Sequence, residues 1–174
     1  MVTARMGLGA LVVAALACWV VLLGGCGGES AETQAESKTL PPYPSALSAQ
    51  SSPSQVAEVL IQALDEGDDQ VLLGLVAVKH DIEAIDSIYS RHGREHETAP
   101  ADAAALTASG WKTSYAWYQS GATYVTEETI DGDTAVVWAR GLNPTTGRAR
   151  ELTISMVRED GVWKVAAGLQ AREL

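Results

Sequence analysis

The chain has 174 residues and a formal net charge of −10, from 12 basic and 22 acidic side chains. That length suits one domain, and the acidic balance argues against a nucleic-acid surface and against adhesion to anionic lipid headgroups by charge alone. Only two cysteines and no phenylalanine occur, so disulfides cannot form the framework and Trp and Tyr carry all aromatic packing.

The first 25 residues follow the plan of a secretory signal. Arg5 supplies the positive start, Leu8 to Leu23 is an unbroken apolar run, and small residues lead to Cys26. Leu23-Gly24-Gly25-Cys26 resembles the bacterial lipobox, an aliphatic residue and two small residues before a cysteine. The resemblance implies cleavage before Cys26, a diacylglyceryl thioether on its thiol, and acylation (palmitate or similar) of the new amino terminus. The thiolate is the nucleophile such chemistry needs, and two or more acyl chains anchor stably where one does not. Cys18 would leave with the signal.

The competing reading is an uncleaved membrane helix, since residues 6–28 carry no charge and exceed the roughly 20 residues of a span. Gly24, Gly25, Gly27 and Gly28 dilute its end, and no basic cluster follows to stop transfer. Gly27 rather than Asp follows the cysteine, which resembles the outer-membrane pattern of diderm bacteria. In a bacterium with one membrane the protein would sit on the outer face of the cytoplasmic membrane.

From Gly27 to Ser51 the sequence is rich in Gly, Ser, Ala, Glu and Pro. Such composition buries too little surface to offset chain entropy, so a disordered linker is expected. The expected organisation is therefore signal 1–25, lipidated cysteine and linker 26–51, and one domain 52–174.

Ser52-Pro53-Ser54-Gln55 carries a helix start: an N-cap Ser, Pro at the first helical position and Gln where a capping box needs it. Val56, Val59, Leu60, Ala63 and Leu64 form one apolar face, and Gly67 is a natural C-cap. Asp68 or Asp69 opens a second helix through Val76, and Asp81 is placed to cap a third carrying Ile82, Ile85 and Ile88 or Tyr89. Residues 100–119 fit two periods. Trp111, Thr113, Tyr115 and Trp117 alternate as in a strand, while Leu106, Trp111, Tyr115 and Tyr118 recur as in a helix. The helix-forming run Ala101 to Ala108 tilts the expectation to a helix ending near Gly121.

From Ala122 the period becomes two. Thr123–Ile130 and Thr134–Arg140 flank Asp131-Gly132, a strong hairpin signal, and Glu151–Arg158 and Val162–Ala167 flank Asp160-Gly161. Helices followed by hairpins indicate an α+β domain: N-terminal helices packed on a curved antiparallel sheet of about four strands.

The element order and three stretches, Leu64–Asp69, Glu128–Val137 and Arg158–Val165, resemble the nuclear transport factor 2-like superfamily. It is also called SnoaL-like, and its fold is cone-shaped and cystatin-like. The resemblance implies a pocket inside the cone that serves as an active site in some members, binds in others and is filled in the rest. Trp111, Tyr115, Tyr118 and Trp138 are the aromatics it would place near such a pocket. It also implies a homodimer through the open sheet face, on which Thr134, Val136, Trp138 and Arg140 or the alternating set would lie.

Catalysis in such a pocket would need a tuned acid or base. The candidates are His80, Asp81, Glu83 and Asp86, all read as helix starts or solvent faces. His92-Gly93-Arg94-Glu95-His96 matches H-x-x-E-H, in which His92, Glu95 and His96 would serve zinc chemistry. Gly93 inside the required helix and the loop-like flanks weigh against it, so neither a metal nor a cofactor is expected. No phosphate-binding loop, G-x-S-x-G elbow or further cysteine occurs. The sequence reads as an exported, lipid-anchored module that binds a small molecule or an envelope protein, with an enzyme or a purely dimerising module as alternatives.

Overall fold

The computed structural model describes residues 39–93, 97–118, 123–143 and 146–174. The expected signal, Cys26 and the start of the expected linker lie outside them. The described elements are four helices, α1 (Pro53–Glu66), α2 (Asp69–Leu75), α3 (Val78–Arg91) and α4 (Pro100–Tyr118), followed by β1 (Tyr124–Asp131), β2 (Thr134–Leu142), β3 (Ala149–Glu159), β4 (Val162–Val165) and β5 (Gln170–Glu173). The architecture is α+β.

Local chemistry sets the ends of α1. Ser52 Oγ accepts from Gln55 N at 3.2 Å, and Gln55 Oε1 accepts from Ser52 N at 2.8 Å, which completes the capping box. Gly67 ends the helix in the left-handed region at φ 71°. Asp68 then caps α2 through Oδ1, which accepts from Gln70 N and Val71 N at 3.1 Å each. Residues 100–118 are helical, as the alanine run favours.

The sheet is antiparallel in the order β1-β2-β3-β4, with β5 also paired to β3. Asp160 and Gly161, at φ 53° and 80°, make the tight turn between β3 and β4. Five strands are described where about four were expected. The additional one, β5, reads Gln-Ala-Arg-Glu and has no apolar alternation to announce it.

Register puts Ala135, Val137 and Ala139 of β2 opposite Met156, Ile154 and Leu152 of β3, all on the inner face. Val56 and Leu60 of α1, Leu72 and Leu75 of α2 and Trp111 of α4 pack over them, each no more than 1% exposed. At about 1.5–3 kcal/mol per large apolar side chain, this layer is the main favourable term in the fold.

The linker boundary moves. Leu40, Tyr43 and Leu47 pack against the core, so residues 39–51 belong to the packed unit and not to a disordered linker. Tyr43 Oη donates to the Trp163 carbonyl at 2.9 Å, and Lys164 Nζ lies 4.6 Å from the Tyr43 ring centroid while donating to the Gly74 carbonyl. Burial pushes the Tyr43 hydroxyl up to about 12 and lowers Lys164. Three apolar side chains at a wide spacing suffice because prolines at 41, 42 and 44 leave less entropy to lose.

Candidate functional site

The inner face of the sheet is where the cone of the resembled superfamily would open. Among the described residues, the inner side chains of β2 and β3 pack against the helices. Trp111 is 1% exposed and Tyr115 6%, both inside the core cluster. Tyr115 Oη donates to Asp65 Oδ1 at 2.6 Å, which ties α4 to the end of α1. Trp111 Nε1 is buried without a hydrogen-bond partner among the described residues. Four open crevices among the described residues, of about 180 to 440 Å³, lie between elements at the surface, and none is lined by Trp111 or by the inward residues of β2 and β3.

Trp138 does not join Trp111 and Tyr115. The side-chain period of two sends it to the outer face of β2, with Thr134, Val136 and Arg140, opposite Thr153 of β3. The four aromatics therefore do not converge. Tyr118 ends α4, and its side chain lies outside the described residues.

His92 sits just after α3 as its C-cap, and Glu95 and His96 lie outside the described residues. Among the described residues no group of three His, Cys, Asp or Glu side chains is placed to hold a metal ion, and no helix is long and apolar enough to cross a membrane.

Asp81 departs from its expected place. The third helix starts at Val78 with Ala77 at its N-cap, so Asp81 falls inside the first turn and turns inward, 1% exposed. Its Oδ2 accepts from Thr107 Oγ1 at 2.7 Å, and its Oδ1 accepts from Ala167 N at 3.0 Å. His80 Nδ1 lies 3.2 Å from the same Oδ1, with the His80 side chain 48% exposed. The carboxylate thus joins α3, α4 and the segment after β4. None of the four crevices is lined by His80 or Asp81. Glu83 is exposed and Asp86 half-buried, with Asp86 Oδ1 accepting from Thr98 Oγ1 at 3.0 Å.

A second buried carboxylate was not expected. Glu151 of β3 lies on the outer face, 3% exposed, between Arg140 of β2 and Arg172 of β5. Arg140 donates Nε and Nη2 to Oε2 at 3.2 and 3.1 Å. Arg172 donates Nε to Oε1 at 2.9 Å and adds a short Nη2 contact to the same oxygen. Burial pushes the Glu151 carboxyl up, but the bonds and charges of Arg172 and Arg140 outweigh it and hold the group below the usual range. The sequence signal would have been a Glu flanked by Arg on its two neighbouring strands, and it needs β5 to be recognised first.

No family model matches this chain, and no curated protein matches it. Among solved structures, a Campylobacter jejuni protein named provisionally as an NTF2-like transpeptidase is similar. It is 14% identical, over 68% of this chain and the whole of that one, with a TM-score of 0.41.

Proposed function

We propose that this chain is an exported lipoprotein, anchored through Cys26, whose cone-type α+β domain is a non-catalytic module that docks an envelope protein through the outer face of its sheet. One observation carries the choice of surface over pocket. Trp111, Leu152, Ile154, Met156 and Val137, on the inner side of the sheet, are packed at 0 or 1% exposure, which supports a filled cone. A ligand site needs a concave volume with convergent polar groups. The outer face instead offers Trp138, Tyr124 and Leu142 beside arginines, and aromatics with Arg are the residue types enriched at protein interfaces.

The test is site-specific photo-crosslinking in the full chain, expressed in a host that processes lipoproteins. A crosslinker at Trp138 is expected to give a discrete adduct, and one at the exposed Glu83 of α3 is not. Adducts from Glu83 alone would overturn the reading. Mass spectrometry of the amino-terminal peptide checks the anchor separately: the parent should begin at a lipidated Cys26, whereas Cys26→Ser should keep residues 1–25 and carry no lipid.

A further inference from the structure

The outer face is uneven along the strands. Register lines up Tyr124, Arg140, Glu151 and Arg172 as one row across β1, β2, β3 and β5. The next row holds Leu142 opposite Ala149, with Leu174 N bonded to the Ala149 carbonyl. Tyr124, Leu142 and Leu174 are 62%, 60% and 54% exposed, and they make up half of the large hydrophobic side chains exposed among the described residues. Isolated exposed apolar side chains need no explanation, but three along one end of the sheet, with Tyr124 and Leu142 on neighbouring strands, do.

The same corner inverts the charge of the molecule. The Glu151 side chain is 4% exposed, whereas those of Arg140 and Arg172 are 50% and 68% exposed. Solvent therefore meets two guanidinium groups with the neutralising carboxylate beneath them. Glu151 engages Nε and Nη2 of each, not Nη1, and an arginine carries five N–H donors. Two arginines thus meet one glutamate on this face, in a chain whose net charge is −10. Arg150, paired with Gly141 and Glu173 one position out of phase, belongs to the other face and is 8% exposed.

The geometry points to this corner as a docking site for an acidic, apolar-flanked peptide segment of a partner protein. The inference rests on the outer face being the docking surface and names what that surface takes. Arg140 and Arg172 stand two strand spacings apart, about 10 Å. An extended polyproline-type segment repeats its side-chain direction every three residues, or about 9 Å. Carboxylates at i and i+3 would reach both arginines, while apolar residues around them cover Tyr124 and Leu142. An anionic bilayer fits less well. Glu127 and Asp131, further along β1 on the same face, would meet it too, whereas a short segment stays within the two rows.

The experiment is a titration of the full chain, held in uncharged detergent, with the peptide Ac-LEPLEL-amide, followed by fluorescence anisotropy of a labelled peptide. The Gln counterpart Ac-LQPLQL-amide and vesicles of equimolar phosphatidylcholine and phosphatidylglycerol are run beside it. Saturable binding is expected for the acidic peptide, with loss as salt rises. Arg140→Gln and Leu142→Asp should each weaken it by about fivefold or more, the scale of one exposed ion pair or its reversal. Leu142 takes no part in the Glu151 hydrogen bonds, so Leu142→Asp remains informative if Arg140→Gln disturbs the fold. Equal binding of the Gln peptide, preference for the vesicles, no binding at all, or indifference to both variants would overturn the inference. Crosslinking at Trp138 would be untouched by that failure, which separates it from failure of the docking-face reading.

Discussion

Replacing Asp81 by Ala should remove a large part of this domain's stability margin. The carboxylate is 1% exposed and accepts from Thr107 Oγ1 at 2.7 Å and from Ala167 N at 3.0 Å. A hydrogen bond to a charged acceptor contributes about 1.5–3 kcal/mol, and a buried donor left alone costs about 1–3. Thr107 is 7% exposed and keeps most of that cost, whereas the exposed Ala167 can pass its N–H to water. The loss is therefore about 3–4 kcal/mol, against a total of about 5–15 for an ordinary domain. Asp81→Asn retains an acceptor for Ala167 and offers an amide to the Thr107 oxygen, so it should lose only about 1 kcal/mol. Urea unfolding followed by tryptophan fluorescence reads both, and the double variant with Thr107→Val should show coupling of about 1.5 kcal/mol or more. An Asp81→Ala chain within about 1 kcal/mol of the parent, or equal losses for Ala and Asn, would refute the buried-staple reasoning.

Three further outcomes follow from the same structure. Glu151→Gln should cost about 1–2 kcal/mol near neutral pH, less than a fully buried pair because both arginines reach water. The folded Glu151 carboxyl sits below its ordinary value of 4.5, so this contribution is present above that pH and is lost as pH falls through the folded value. Unfolding free energies of parent and variant should converge on acidification. Gly74→Ala would normally gain about 1 kcal/mol of helix propensity, but its Cβ would meet the Pro42 carbonyl oxygen at 2.6 Å. A net loss of about 1–2 kcal/mol, with faster proteolysis within residues 39–47, is expected. Trp111→Phe removes the unpartnered Nε1 along with some volume and should stay within about 1 kcal/mol of the parent in thermal unfolding, while Trp111→Ala should lose about 3–5.

Features written locally were legible in the sequence. Ser52 and Gln55 name the start of α1, Gly67 its end, and Asp160-Gly161 the last tight turn, because each depends on neighbours within a few residues. Residues 100–118 stayed ambiguous, since their large side chains satisfy both periods and only burial against the sheet decides. Asp81 looked like a cap because its partners, Thr107 and Ala167, lie 26 and 86 residues away. The packing of Leu40, Tyr43 and Leu47 was hidden by low apolar density, and the Glu151 clamp by a strand with no apolar period. Alternation along β2 could have separated Trp138 from Trp111 and Tyr115. The pairing of Val137 and Ala139 with the core sends residue 138 to the opposite face.

Native mass spectrometry of the full gene product, extracted from membranes of a lipoprotein-processing host in mild detergent, bears most directly on the anchored, filled-cone reading. It should give a chain beginning at Cys26, heavier by a diacylglyceryl group and any further acyl chain, with no organic molecule held in the domain. An unmodified chain that retains residues 1–25, or a small molecule that survives detergent and is lost on Trp111→Ala, would contradict it.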